Sequence, residues 1–233
     1  MAKVSIILPI FNEASALESN VPRLIGHLEN CNFEYELMLC EDGSSDNSAE
    51  VARSFALANK NIRPLIRRER LGRGKALANA VLEAKYNIIV YMDADLATDL
   101  KFLKPLVCEI EKGADISTGS RLLPGSKVMK RGLVREFASC GYNFLMRGLF
   151  NTGITDHQCG FKAFRKSSVL PILPEIRDSH WFWDSELLVL ANRKGLKITE
   201  IPIEWADRDY SRVRLSSDIL HMGISAIKLK FRA

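Results

Sequence analysis

The sequence predicts an α/β fold built on a mostly parallel central sheet, and three observations carry that expectation. Short aliphatic runs alternate with amphipathic stretches of helical period through the first half of the chain. The runs at Val4 to Ile10, Glu34 to Cys40 and Asn87 to Met92 are largely apolar in the middle, as strands covered on both faces are. Each is followed at once by turn-forming or acidic residues, at the strand end where open α/β sheets bind ligands.

The elements follow in order. Val4 to Ile10 is the first strand, closed by Pro9 and Asn12, and residues 14–29 are the first helix, with Asn12 as its expected N-cap. Glu34 to Cys40 is the second strand. Glu41-Asp42-Gly43-Ser44-Ser45 turns into a helix starting near Asp46, with Val51 and Phe55 on one face. Ile62 to Ile66 is a short third strand. Gly72 to Lys85 is a helix burying Leu77, Val81 and Leu82, and Asn87 to Met92 is the fourth strand. A helix from about Asp99 to Lys112 precedes a strand near Asp115 to Thr118. The second half is less regular: a helix over Arg131 to Phe150, a strand over Asp156 to Phe164, a helix over Asp184 to Lys194 ended by Gly195, a strand over Lys197 to Trp205 and a terminal helix over Leu215 to Phe231.

Composition excludes several classes. The 233 residues are 47% hydrophobic and 26% charged, which suits one globular α/β domain and not a disordered chain. Five widely spaced cysteines without a CxxC give neither a disulfide framework nor a zinc site, and reduced thiols fit a cytoplasmic location. No secretory leader and no run near ~20 apolar residues is present, so a protein not integral to a membrane is expected. The net charge is +5, and Arg121 to Arg147 alone carries six basic residues against one acid. That cluster calls for an anionic partner: a phosphate, a lipid headgroup or a nucleic acid. The basic residues lack interleaved aromatics and a nucleic-acid motif, so no nucleic-acid partner is expected.

Asp93-Ala94-Asp95 carries the chemistry. Two carboxylates one residue apart after a buried strand can reach one hard cation, Mg²⁺ or Mn²⁺, which favours oxygen ligands and substrate phosphates. The plain alternative is helix capping by Asp95 or Asp99. Asp42 can accept from a base edge or ribose, or simply make an Asx turn. Phe11 can face a nucleobase. Three such segments at three strand ends converge on one crevice, which capping alone does not explain. Arg70-Leu71-Gly72-Arg73-Gly74-Lys75 suits either phosphate contact at a helix N-terminus or solvated charge.

The chain resembles the family 2 glycosyltransferases with the Rossmann-like GT-A fold. The matching segments are Val4 to Glu13, Glu41-Asp42-Gly43-Ser44-Ser45-Asp46 and Asp93-Ala94-Asp95-Leu96. It is most similar to the polyprenyl- and dolichyl-phosphate hexose synthases, through Gly119-Ser120-Arg121, Gln158-Cys159-Gly160-Phe161-Lys162, Trp183 to Leu188, Ile201 to Trp205, Asp207-Arg208 and Ser211-Arg212. The resemblance implies a nucleotide-sugar half, residues 1–118, and an acceptor half, residues 119–233. It implies that Pro9, Phe11, Glu13 and Asp42 hold the nucleotide. Asp93 and Asp95 would place the metal and diphosphate, and Arg121, Arg135, Ser139 and Arg208 the acceptor phosphate. The donor would be UDP-glucose or GDP-mannose, with the Gln-Cys-Gly-Phe-Lys run pointing to glucose, and transfer would invert the anomeric carbon. Some mannose synthases carry a Gln where this chain has Ala97, which removes a third metal contact. Other readings are transfer to a saccharide hydroxyl and a non-catalytic nucleotide-sugar-binding protein.

On the acceptor side Arg131, Arg135, Ser139, Asn143 and Arg147 recur every four residues as a polar ridge on one helix, with Val134, Phe137, Ala138, Gly141 and Leu145 as its expected buried face. An acceptor phosphate is already nucleophilic. A hydroxyl acceptor would need a base, for which Asp184 is the candidate, its other expected role being a helix cap. The terminal-helix stripe Leu220, Ile224, Ile227 and Phe231, followed by Lys228, Lys230 and Arg232, fits core packing or, alternatively, a helix lying on anionic lipid. Approach to a lipid acceptor is expected to be peripheral, from the cytoplasmic face.

Overall fold

The computed structural model describes residues 1–129, 132–207 and 217–232. In chain order the elements are β1 (Lys3–Ile10), α1 (Ala14–Asn30), β2 (Glu34–Asp42), α2 (Ser48–Ala58), β3 (Ile62–Arg67), α3 (Arg73–Glu83) and β4 (Ile88–Met92). Then come α4 (Leu103–Glu111), β5 (Ile116–Ser120), β6 (Lys127–Met129), α5 (Leu133–Phe150), β7 (Phe161–Arg165), α6 (Lys166–Val169), α7 (Trp183–Arg193), β8 (Ile198–Pro202), β9 (Glu204–Ala206) and α8 (Ser217–Lys230).

The main sheet runs β3-β2-β1-β4-β7-β5-β8, and only β7 runs antiparallel to its neighbours. β1 shows why its sequence is apolar without alternation: Ile6 and Leu8 face one layer of helices and Ile7 the other, all essentially inaccessible. On the first face α1 buries Leu17, Val21, Leu24 and Leu28 at helical spacing, each worth on the order of 1.5–3 kcal/mol. On the second, Leu77 and Val81 of α3 join Leu187, Leu188 and Val189 of α7 and the inner faces of α5 and α8. β2 and β3 are added on one side of β1 and β4 on the other. The chain ends of β1 and β4 therefore diverge and leave a crevice beyond them, the switch point where such sheets bind ligands.

The structure corrects several expectations. The strand expected over Asp156 to Phe164 is only β7; residues 151–160 form a loop, because their polar groups are spent on side-chain contacts instead of a ladder. The strand expected over Lys197 to Trp205 breaks at Ile203, which is fully buried, and β9 leaves to pair with β6 in a small second sheet. Leu82 of α3 is exposed. Asn12 does not cap α1. It takes a left-handed conformation (φ 54°), and its Oδ1 accepts from the Ser45 N–H at 2.7 Å.

The largest correction is the rotation of α5. Val134 and Phe137 are exposed, as is Phe144, whereas Ser139, Tyr142, Asn143 and Met146 face inward. The polar groups turn in because they have partners. Asn143 Oδ1 accepts from the main-chain N–H and from Nδ1 of His157, at 2.8 and 3.0 Å, and Thr152 bonds His157 Nε2 at 2.9 Å. The terminal-helix stripe is likewise turned out. Leu220, Ile224, Ile227 and Phe231 are exposed, and Met222, Ala226 and Leu229 make the core contacts, so the core-packing reading of that stripe fails.

Burial of His157 has a measurable consequence. It holds the imidazole down at about 4, against an ordinary value of 6.5. Between those values the unfolded chain binds the proton and the folded one does not, so stability is lost as pH falls. The unfolding free energy from urea titration should drop by roughly 2 kcal/mol between pH 7.5 and 5, and His157→Gln should flatten that slope.

Candidate active site

The crevice opens into a cavity of about 770 Å³ that reaches from Phe11 and Asp42, past Asp93 and Asp95, to Arg135 and Ser139. Pro9, Glu13, Arg121 and Asp184 also line it, so the sequence-predicted residues inside the described range meet in one space. Arg208 lies outside the described residues, as do Arg131, Ser211 and Arg212.

At the end of the cavity beside β1 and β2, Asp42 is buried at the close of β2. Its two oxygens accept from the main-chain N–H groups of Leu71 and Gly72 at 2.8 and 2.9 Å. Asp42 thus pins the loop 70–73 as well as facing the cavity. Gly43 makes this possible: at φ 70°, a Cβ there would stand 2.6 Å from the Arg70 nitrogen. Arg70 in turn stacks its guanidinium 3.7 Å above the Phe11 ring, at the place expected for a base.

Asp93 and Asp95 follow β4. Asp95 Oδ1 accepts from the Ala97 N–H at 2.9 Å, a turn contact that orients the carboxylate without making it a helix cap. Asp99, by contrast, does cap, accepting from Lys101 N–H. Asp93 Oδ1 receives Arg73 Nη2 at 2.8 Å, and Arg73 Nη1 reaches Asp184 Oδ2 at 2.7 Å. Lys162 Nζ completes the chain, 3.0 Å from Asp184 Oδ1, and also donates to the Cys159 carbonyl. Four charges, from the end of β4 and from α3, α7 and β7, are therefore linked, with Asp184 and Lys162 buried, Arg73 largely so and Asp93 half-exposed.

The linkage decides the state of Asp184. Burial pushes its carboxyl up to about 6, against the pull of Arg73, and burial brings Lys162 down to about 8. At neutral pH both remain charged. For Arg73 burial opposes the charge, but Asp93 and Asp184 outweigh it and raise the guanidinium further. Both oxygens of Asp184 accept from cations, Arg73 and Lys162, and no side-chain cap bond is made at the start of α7, so the helix-cap reading fails.

Asp93 and Asp95 fit a divalent cation. Both are hard oxygen ligands facing the cavity, and Gly160 leaves the space around Asp93 open, since a Cβ there would meet Asp93 Oδ2 at 2.2 Å. Among the described residues no group of three or more His, Cys, Asp and Glu side chains gathers to hold a metal, so the remaining ligands would come from a bound donor.

At the end of the cavity near β5, Arg121 is anchored. Its Nε and Nη2 donate to the two oxygens of Asp156 at 2.7 and 2.9 Å, and its main-chain N–H also donates to Asp156. Asp156 is fully buried, and Arg121 holds its carboxyl well below the usual range despite that burial. Arg135 donates to Asp207 at 3.0 Å, and Ser139 faces Gln158 at 3.4 Å. Asn143 belongs to the loop contact already described, and Arg147 is exposed, so only part of the ridge reaches the cavity.

With this geometry in place the relatives can be compared. The family model described as Glycosyl transferase family 2 matches residues 5–172. The chain belongs to glycosyltransferase family 2. This glycosyltransferase is 38% identical over 229 residues to Glycosyltransferase AglD of Haloferax volcanii, covering 97% of this chain but 36% of that longer protein. It is 31% identical to Dolichyl-phosphate beta-glucosyltransferase ALG5A of Trichomonas vaginalis, covering 97% and 72% of the two chains. Against the Saccharomyces cerevisiae dolichyl-phosphate beta-glucosyltransferase it is 29% identical, covering 94% and 71%. Among solved structures, glucosyl-3-phosphoglycerate synthase of Mycobacterium tuberculosis, in complex with Mn²⁺, UDP and glucosyl-3-phosphoglycerate, superposes with TM-score 0.69 at 18% identity. That match covers 98% and 80% of the two chains. Mannosyl-3-phosphoglycerate synthase of Rubrobacter xylanophilus gives 0.70 at 18%, covering 99% and 74%. Those structural likenesses establish the GT-A fold of the glycosyltransferase.

Sequence reasoning passed over Asp156, took Lys162 only as part of a motif, and left Arg73 between two roles. Lys162 did leave a signal: at strand period it shares a face with Phe164, where an apolar residue is expected. Gly160→Ala should push Asp93 out of place. Transfer activity should fall at least tenfold while the melting temperature moves by only a few degrees, read by a sugar-transfer assay beside a thermal melt.

Proposed function

We propose that the chain transfers glucose from UDP-glucose to a polyprenyl or dolichyl phosphate, with inversion. The observation that carries the acceptor class is Asp184, whose two oxygens are held by Arg73 and Lys162. A hydroxyl acceptor needs a base to take its proton, and a phosphate does not. The relatives named dolichyl-phosphate beta-glucosyltransferase support glucose as the sugar and a lipid phosphate as the acceptor. A β-linked product from an α-linked donor also implies inversion.

The residues then divide the work. Phe11, Asp42, Pro9 and Glu13 line the end that would take the nucleotide. Asp93 and Asp95 would hold Mg²⁺ or Mn²⁺; Mn²⁺ and UDP occur together in the mycobacterial neighbour. The ion would neutralise charge on the departing diphosphate. Arg121, fixed by Asp156, and Arg135 with Ser139 would hold the acceptor phosphate so that its oxygen meets the anomeric carbon in line with the leaving group. Residues 1–118 would serve the donor and residues 119–233 the acceptor.

Access of a lipid fits the rotation of α5. Val134, Phe137 and Phe144 on α5, and Leu220, Ile224, Ile227 and Phe231 on α8, point away from the core on two helices that pack together. Arg135, Ser139 and Tyr142 line the cavity from the other side of α5. Lys228 and Lys230 are exposed on α8. Such a face suits the surface of an anionic bilayer. Among the described residues no helix is long and apolar enough to cross a membrane.

Purified protein with radiolabelled UDP-glucose should label a polyprenyl phosphate and not an oligosaccharide. Asp95→Asn should lose at least 10²-fold of that transfer with its melt unchanged. Labelling of the oligosaccharide alone would overturn the reading. In flotation with anionic vesicles, Phe137→Glu with Phe144→Glu should lose most of the bound protein, while transfer to a short water-soluble polyprenyl phosphate persists.

A further inference from the structure

Arg73 has a position that the transfer reaction alone does not explain. It stands in the first turn of α3 and joins a carboxylate just after β4 to one at the start of α7, which lie 20 and 111 residues from it in sequence. Its guanidinium sits 5.6 Å from the Tyr91 ring centre and 5.4 Å from that of Trp181. Yet its Nε is buried with no hydrogen-bond partner among the described residues. The bridge is thus strong in charge and incomplete in hydrogen bonding, as a group with a second resting place would be.

The glycines around it report how closely the bridge is packed. A Cβ on Gly160 would meet Asp93 Oδ2 at 2.2 Å and Arg73 Nη2 at 3.1 Å. A Cβ on Gly74 would meet the Trp183 Cβ at 2.6 Å. Main chain from α3 and from the α7 approach is also joined, since Gly74 N–H donates to the Ser179 carbonyl at 2.8 Å. A shift of Asp93 is therefore felt at Asp184 through one rigid side chain.

We propose that Arg73 is a positioning residue that stands in for the metal. In the donor-free protein its guanidinium supplies the positive charge that Asp93 requires, and it ties Asp93 to Asp184. A divalent ion arriving with the nucleoside diphosphate takes over the Asp93 oxygen, and Arg73 keeps only Asp184 and the ring box. Metal entry at Asp93 and release of the bridge between the two halves of the site are then one event. A divalent ion alone has to displace an internal cation, which makes donor-free metal binding weak. The ion that comes with a diphosphate gains further oxygen ligands to offset that displacement.

This inference rests on Asp93 as a metal ligand, and the test separates the two. Mn²⁺ binding is followed by the electron paramagnetic resonance of free Mn²⁺, without any sugar donor or acceptor, and again in saturating UDP. Arg73→Gln should bind Mn²⁺ at least tenfold more tightly than the parent when UDP is absent, with the gap narrowing to less than threefold when UDP is present. Arg73→Lys, a point charge that cannot span both carboxylates, should fall between them. Adding Asp93→Asn to Arg73→Gln should abolish the gain. If the parent binds Mn²⁺ with UDP but Arg73→Gln and Arg73→Lys bind it no more tightly without UDP, the stand-in role is wrong. If the parent binds no Mn²⁺ even with UDP, the metal assignment itself fails. Should Arg73→Gln not fold, Arg73→Lys decides the matter alone.

Discussion

The arrangement of the site depends on one linked set of charges, Asp93–Arg73–Asp184–Lys162. A charge removed from water survives only when it is paired, and each member here pairs with a neighbour from a different element. The set therefore fixes α3 against β4, and α7 against β7, at the point where the cavity is narrowest in chemistry if not in space. Lys162, wholly buried on the one antiparallel strand of the main sheet, is its deepest member. Replacing any one member would leave the others with uncompensated charge in a low-dielectric setting, so the set holds geometry more than it adds stability.

A second buried pair does the same at the other end of the cavity. Asp156 receives two side-chain bonds and one main-chain bond from Arg121, and Thr155 with the Asp156 N–H is held by Glu200 of β8. The loop 151–160 thus carries its own polar scaffolding, and the His157–Asn143 contact docks it onto α5. One loop consequently sets the orientation of Arg121 and the rotation of α5 together. The apolar residues of α5 are outside because its polar residues are needed inside, an inversion of the usual rule that only specific hydrogen bonding makes affordable.

Much of the first half of the chain was legible in the sequence. Strands buried on both faces read as unbroken apolar runs, and acidic turns after them read as ligand-binding ends, because both signals are local. The second half resisted for equally physical reasons. Periodicity on residues 131–150 gives two faces but not which of them meets the core; that choice depended on His157 and Gln158, which no local pattern connects to Asn143 and Ser139. Ile203 hides a break in what looked like a single strand, since an apolar residue fits a kink as well as a ladder.

The sequence by itself determined the fold class, the crevice at the ends of β1, β2 and β4, and the two carboxylates Asp93 and Asp95 within it. These follow from hydrophobic period and from residues adjacent along the chain. Only the tertiary structure decided that Asp184 is locked between two cations, that Arg73 occupies Asp93, and that α5 and α8 turn apolar faces outward. Each of those depends on pairing charges and hydrogen bonds across long sequence separations, and such pairing is settled by packing, not by local pattern.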